Sequence, residues 1–237
     1  LDEEPDALII THIGGYPNPE IKEISELCKK FNILLIEDCA HSPLVKLNNK
    51  YVGTFGDAAI LSFFPTKPIP AGEGGMVIAK NKKIADKIRR MRDYGKILEN
   101  DSTKHFLPAF PNARLNEFSA SVANTILKNY EYLIDLKTKI ADFYDSKIDE
   151  QLTYSKLHYK DLNVQFSYYK YICFLDYSKF KTAQVYDSDN QLISIFKDNS
   201  LSYKFIGDEG YLRNHICLPL NYSMNLKDAE KVINHTY

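Results

Sequence analysis

Lys67 stands in the run Ser62-Phe-Phe-Pro-Thr-Lys67-Pro-Ile-Pro-Ala-Gly-Glu-Gly-Gly75, between the end of an apolar stretch and a cluster of glycines. Upstream, a second apolar stretch closes on Ile36-Glu-Asp38-Cys-Ala-His41. An amine and a carboxylate at the ends of neighbouring strands are the two groups a pyridoxal phosphate site needs. The amine condenses with the cofactor aldehyde, and the carboxylate keeps the pyridine nitrogen protonated so that the ring can accept electrons. Most lysines are solvated surface charges, but Lys67 has an unusual setting. Pro65 and Pro68 stiffen the backbone around it, and Gly72, Gly74 and Gly75 allow backbone to approach a ligand closely. Asp38 has a plainer alternative as a helix N-cap following a strand.

The elements that must position these groups follow from the apolar pattern. Residues 7–12 read as a buried strand, followed by a turn at Gly14-Gly15-Tyr-Pro17. Asn18 then offers an N-cap, with Pro19 at the first helical position. Ile21, Ile24, Leu27 and Cys28 recur at helical spacing, and 33–36 is the next strand. Strand, helix and strand with short connections imply a parallel crossover. Residues 58–64 form a third strand and 76–79 a fourth. Ile84, Ile88 and Met91 mark one face of a helix that stops near Tyr94-Gly95. Asn116 caps a long helix with Phe118, Val122, Ile126 and Tyr130 on one side. Beyond the helical stretch, residues 165–177 read as a strand, with further strand and helix signals at 191–196 and 226–233. The expectation is two domains, 1–134 and 135–237. In open α/β sheets ligands sit outside the carboxyl ends of the strands, which brings Asp38 and Lys67 to one crevice.

Composition narrows the function classes. With 237 residues, 44% hydrophobic and 26% charged, the chain can bury a substantial core. Thirty Lys and Arg against 31 Asp and Glu give no electrostatic reason to expect nucleic acid or an acidic membrane surface. No apolar run reaches the roughly 20 residues of a membrane span, and the default location is the cytoplasm. Cys28, Cys39, Cys173 and Cys217 lack metal or redox spacing and read as small buried thiols. HExxH, CxxC and GxSxG are absent, which argues against a dedicated metal site and against an esterase. The basic run 80–96 is broken by Asp86 and Asp93 and reads as a solvated amphipathic helix.

Taken in order, Asp38-Cys-Ala40-His41, Gly53-Thr-Phe-Gly-Asp57, Ser62-Phe-Phe-Pro-Thr-Lys67, Gly72-Glu-Gly-Gly75 and Arg92-Asp-Tyr-Gly95 resemble the motifs of the DegT–StrS sugar aminotransferases. His12-Ile-Gly-Gly15-Tyr-Pro17 and Asn112-Ala-Arg114-Leu-Asn-Glu117 extend the likeness, which runs from about residue 7 to 133 and returns at Cys217-Leu-Pro-Leu220. The resemblance implies an α/β protein. Its larger domain would be part of a fold-type I aminotransferase, a mostly parallel sheet with flanking helices, followed by a smaller C-terminal α+β domain. It implies a homodimer that uses pyridoxal 5'-phosphate to aminate a nucleotide-linked keto-sugar, with glutamate as donor.

Residue by residue, Lys67 would be the Schiff-base lysine and proton shuttle, and Asp38 the partner of the pyridinium nitrogen. Ala40 would pack against one ring face and His41 would lie near the phenolic oxygen. Ser62 would donate to the cofactor phosphate, as would Asn112 from the other subunit. Plainer roles remain open for His41 (a backbone-bonded histidine), Ser62 (a strand-end hydroxyl) and Arg114 (a surface ion pair).

The family pattern also includes an N-terminal portion that helps hold the phosphate. The chain lacks an initiating Met and opens almost directly into a strand, so it reads as a fragment. The stretch 201–211 departs from the family's usual substrate loop. Two alternatives therefore stand beside the transaminase: a non-catalytic remnant that keeps the fold without holding cofactor, and a related dehydratase. The Gly72–Gly75 form leans towards a 4-keto acceptor.

Overall fold

In the computed structural model, which describes residues 5–99, 102–106, 111–174 and 215–234, the chain forms two compact units. One takes in the described residues up to Tyr132 together with Leu162–Tyr169; the other takes in Leu133–Asp161 and the described residues from Lys170 onward. Residues 162–169, expected in the second domain, thus pack with the first unit. The signals at 191–196 and 201–211 lie outside the described residues.

The first unit is built on a four-stranded sheet. Strand β1 (Ala7–Thr11) leads through helix α1 (Ile21–Lys30) to β2 (Leu34–Asp38). The short strands β3 (Lys46–Leu47) and β4 (Lys50–Tyr51) pair antiparallel before β5 (Ala58–Ser62) and β6 (Gly75–Ala79). The sheet order is β1-β2-β5-β6, parallel except for the antiparallel β5–β6 pair. Alternation along β2 turns Leu35 and Glu37 inward, as a half-buried strand must. Leu35 packs with Ile21 and Cys28 of α1 and with Cys39, Val45, Leu47, Val52, Phe55 and Ala59 into one core.

The strand at 7–12 was expected to be buried, but β1 is largely exposed, with Ile9 at 65%. It lies at one edge of the sheet, with Leu34 exposed on the adjacent β2 and Met76 on β6 at the opposite edge. The α1 start also differs. Asn18 does not cap the helix directly; its side chain accepts from Glu20 N–H and its carbonyl from Ile21 N–H, forming a turn ahead of the helix.

Helix α2 (Lys82–Met91) is capped by Asn81 and buries no residue fully. Strands β7 (Lys96–Glu99) and β8 (Ser102–Phe106) form a hairpin. Helix α3 (Glu117–Lys128) begins where Asn116 accepts from Ser119 N–H at 2.8 Å. The apolar stripe expected along it is only partly turned inward: Phe118 is 87% exposed and Val122 is exposed, while Tyr130, just past its far end, is buried, and within the helix Ser119 and Ala123 are the buried residues. Ser119 faces the loop before it, 3.9 Å from where a Cβ on Gly72 would stand, and a Cβ on Gly74 would strike Leu115 just ahead of the helix. Helix α4 (Tyr130–Asp145) crosses the division between the units.

The second unit contains α5 (Tyr154–Tyr159) and a fully buried antiparallel pair that joins β10 (Tyr171–Cys173) and β11 (Ile216–Leu218); β9 (Val164–Gln165) precedes them and belongs to the first unit. Helix α6 (Leu226–Asn234) closes the described chain. Tyr144 of α4 packs on Tyr171 and donates to the Pro219 carbonyl, and Tyr171 donates to Asp145. The single strand expected over 165–177 is interrupted between β9 and β10, with Tyr168 in the left-handed region at φ 46°. All four cysteines are buried free thiols. Among the described residues no helix is long and apolar enough to cross a membrane.

Candidate active site

The carboxyl-terminal edge of the sheet gathers the end of β1, the end of β2 and the loop after β5. Main-chain bonds fix the β2 end on both sides: His12 N–H donates to the Asp38 carbonyl at 3.0 Å, and Cys39 N–H to the Ile60 carbonyl at 2.9 Å. Asp38 Oδ1 then accepts from Ala40 N–H at 3.0 Å, an Asx turn that orients the carboxylate and bends the chain away from the strand. His41 follows, its Nδ1 accepting from Gly14 N–H at 3.2 Å. That bond assigns the His41 ring proton to Nε2 when the ring is neutral.

Lys67 sits on a closed loop. Phe63 N–H donates to the Gly74 carbonyl and Ala71 N–H to the Phe63 carbonyl, both at 2.9 Å, and Lys67 N–H donates to the Phe64 carbonyl to form the inner turn. Phe63 and Ile69 are buried beneath the loop and anchor it. Gly72 and Gly74 take φ of 88° and 123°, which L-residues resist, so the glycine cluster is required by the loop's shape. Ser62 Oγ accepts from Phe64 N–H at 3.4 Å, a long bond that leaves its strand-end reading in place.

A tyrosine that the sequence did not single out joins these parts. The Tyr169 ring lies 4.3 Å from the His41 ring between centroids, tilted by 33°. Lys67 Nζ stands 4.9 Å from the Tyr169 ring centroid, and the Tyr169 hydroxyl is 3.3 Å from Thr66 Oγ1. The segment before it is fastened down: Ser167 Oγ donates to the His41 carbonyl at 2.8 Å, and β9 pairs with β3. Gly15 at φ 98° makes this approach possible, since a Cβ there would come within 2.7 Å of Ser167 Oγ and of the Tyr169 nitrogen. The only hint in the sequence was the Gly14-Gly15 pair, read as a turn.

The structure therefore links Lys67 and His41 through the Tyr169 ring, with Ala40 and Asp38 just before His41 on the same sheet edge. No ion pair joins Asp38 to Lys67. Asn112 stands apart from this group. It is exposed, forms a bridge with Asp93, and its Oδ1 accepts from Arg114 N–H and Nε–H. Arg114 also pairs with Asp93 at 3.7 Å while half-exposed, which fits its surface-ion-pair reading.

Glu37 is the second residue missed, although a carboxylate inside an apolar strand must find partners. It is fully buried. Oε1 accepts from Phe55 N–H (2.7 Å) and Gly56 N–H (2.6 Å), and Oε2 from Gly53 N–H (2.7 Å) and His12 Nε2 (3.1 Å). His12 Nδ1 accepts from Asn18 N–H, which puts the His12 proton on Nε2, facing Glu37. Burial pushes the Glu37 carboxyl up, but the His12 bond and the Gly56 and Gly53 amides outweigh it and hold the group below its ordinary value. Cys39 lies close enough to complete a three-ligand cluster with His12 and Glu37. Yet the carboxylate and imidazole are already committed to main-chain donors, and burial, then the Glu37 and Asp38 charges, push the Cys39 thiol far up. A cation would have to displace these bonds. The cluster instead ties the β1 end, the β2 end and the Gly53-to-Gly56 turn together directly beneath Asp38.

A sequence model of the DegT/DnrJ/EryC1/StrS aminotransferase family matches residues 1–236. The chain belongs to this family. It is 27% identical over 239 residues to the UDP-4-amino-4,6-dideoxy-N-acetyl-beta-L-altrosamine transaminase of Campylobacter jejuni, covering 95% of this chain and 63% of that protein. It is 34% identical over 148 residues to the GDP-perosamine synthase of Vibrio cholerae, covering 62% of this chain and 40% of the relative. Among solved structures, the Helicobacter pylori aminotransferase PseC, involved in the biosynthesis of pseudoaminic acid, superposes with a TM-score of 0.80 at 21% identity, over 96% of this chain and 65% of that one. The fold is that of the fold-type I sugar aminotransferases. The chain spans less than two thirds of the length of these relatives.

Proposed function

We propose that the chain is the lysine-bearing part of a pyridoxal-phosphate-dependent aminotransferase that moves an amino group from an amino acid, glutamate by the family likeness, to a nucleotide-linked keto-sugar. The observation that carries the reading is the Lys67 amine held against the Tyr169 ring, which also packs on His41, with the Asp38 carboxylate on the same sheet edge. The donor set fits the cofactor: a primary amine, a carboxylate oriented by its own turn, a small Ala40 between them in the chain, and a loop whose glycines admit close backbone approach. When bound, pyridoxal phosphate supplies an aldehyde for the amine and an electron-withdrawing ring that eases cleavage of the donor's α-C–H bond.

The remaining chemistry belongs to the chain. Asp38 would hold a proton on the ring nitrogen. Lys67 would carry the proton taken from the donor's α-carbon, and with the keto-sugar would return one in the reverse sense. His41, with its Nδ1 occupied by the Gly14 N–H, would offer its Nε2 proton to the phenolic oxygen, and Ser62 would donate to the phosphate. Asn112 would serve the phosphate of a second copy. Its exposure, and that of Phe118 and Val122 on nearby α3, support a homodimer that shares its sites. The Gly72-to-Gly75 loop favours a 4-keto acceptor.

The test is covalent. Pyridoxal phosphate added to the protein should give a near-visible absorbance band, and borohydride should fix the cofactor at Lys67 by peptide mass spectrometry. Lys67→Ala should abolish both. A band that survives this substitution, or a label on another lysine, overturns the assignment. Absence of any band in the folded chain favours the remnant reading, which the short span relative to its relatives keeps open. Product analysis with a keto-sugar nucleotide separates amination from deoxygenation, and retention of Lys67 favours amination.

A further inference from the structure

Tyr169 has no assigned role, yet the fold takes unusual steps to put it where it is. The chain leaves the second unit's sequence at Leu162 and returns to it at Lys170, and for those eight residues packs with the first unit. β9 pairs with β3, Ser167 Oγ donates to the His41 carbonyl, and Ser167 N–H reaches the Gly15 carbonyl at 3.4 Å. Gly15 gives up its Cβ for this contact, and Tyr168 takes a left-handed backbone that a bulky residue avoids. The result is one ring with three different contacts. Its face stands against His41, its π cloud against the Lys67 ammonium, and its hydroxyl against Thr66, the neighbour of Lys67.

Building on the reading above, we infer that Tyr169 is the positioning residue for Lys67: its ring is the surface against which the charged amine rests, and the same ring packs on His41. An aromatic face attracts the ammonium form and not the neutral amine. The Thr66 bond fixes the ring edge to the Lys67 loop, so the ring and the amine keep one register. Because the same ring packs on His41, the two side chains assigned to the cofactor are aligned by a third that needs no contact with it. A long, flexible lysine is otherwise free to sample many rotamers, and aiming it is worth a dedicated element.

The experiment reads Lys67 by itself, without turnover. The protein is exposed to a limiting small acylating reagent at neutral pH, and labelling of Lys67 is measured by mass spectrometry against the exposed Lys22. In Tyr169→Met and Tyr169→Leu, Lys67 labelling should rise about two- to fivefold, the factor corresponding to loss of a cation–π contact at a part-exposed site. Tyr169→Phe, which keeps the face, should stay close to the wild type. Thr66→Val, an exposed change that keeps the fold whatever happens to the others, should give a smaller rise in the same direction. Unchanged labelling in Thr66→Val and in whichever Tyr169 variants fold, or equal labelling in the Phe and Met variants, overturns the inference. Borohydride trapping of pyridoxal phosphate in the same set separates the two proposals. If wild type traps no cofactor while the labelling series holds, the functional reading fails and the positioning role stands; if every variant traps cofactor while the labelling series is flat, the reverse holds.

Discussion

Replacing Glu37 by Gln tests whether the network beneath Asp38 is what holds the crevice floor. The substitution keeps the shape and one acceptor oxygen. If that oxygen takes the place of Oε1, it still serves Phe55 and Gly56, but an NH2 group now faces the Gly53 N–H and the His12 Nε2–H. His12 cannot escape by changing tautomer, since its Nδ1 would then present a proton to the Asn18 N–H. At least two buried donors are orphaned at about 1–3 kcal/mol each, giving a loss of roughly 2–6 kcal/mol. With a urea slope of about 2 kcal/mol/M, that lowers the unfolding midpoint by roughly 1–3 M. The chain has no Trp and 17 Tyr, so tyrosine fluorescence and circular dichroism report the transition, with hydrogen exchange over residues 34–38 and 53–56 locating the damage. The pH dependence is the sharper part. The Glu37 carboxyl lies below its ordinary value in the fold, so its contribution is complete above the unfolded value near 4.5 and is lost as pH falls through the lower, folded value. The gap between wild type and Glu37→Gln should therefore be full at pH 7 and close as the medium is acidified below about 4.5. A variant within about 0.5 kcal/mol of wild type at pH 7, the scatter expected of a neutral surface change, would refute the reasoning.

Three further outcomes follow from the geometry. Gly15→Ala places a methyl 2.7 Å from Ser167 Oγ and the Tyr169 nitrogen at a φ of 98°, so hydrogen exchange over residues 165–170 should rise and stability should fall by about 1–3 kcal/mol. Asp38→Asn keeps an oxygen for the Ala40 amide but loses the charge; cofactor trapping at Lys67 should persist while amino transfer drops on the order of 100-fold or more, as stopped-flow absorbance would show. Asn116→Ala removes the α3 cap and should cost about 1 kcal/mol in thermal unfolding, without altering trapping at Lys67.

Local pattern was enough to place β1, β2, β5, β6, α1 and the start of α3 within about two residues, because strand alternation, helical spacing and the Asn116 cap are read from neighbours in the chain; the short strands β3 and β4 and the pair β7 and β8 were not marked. It was also enough to mark Lys67 and Asp38, since residue type, flanking Pro and Gly, and strand ends are all local. Which face of α3 turns inward was not legible: its apolar stripe put Phe118 and Val122 on one side, but both are exposed and Ser119 and Ala123 are buried, because the side that packs is set by what the folded chain brings against the helix. The burial of β1 was overstated for a similar reason, because an apolar strand in the middle of a sheet and one at its edge have the same composition.

By itself, then, the sequence determined the chemistry available to this protein, an amine and a carboxylate on one edge of an α/β sheet, because those assignments depend on residues close together in the chain. Only the tertiary structure decided what surrounds them. Tyr169 is 102 positions beyond Lys67, and Gly53 is 16 beyond Glu37; nothing in either local pattern announces the meeting. Long-range contacts are set by where the packed backbone returns, and that return rests on the space left by Gly15 and on a buried carboxylate that had to be satisfied by amides from a distant turn.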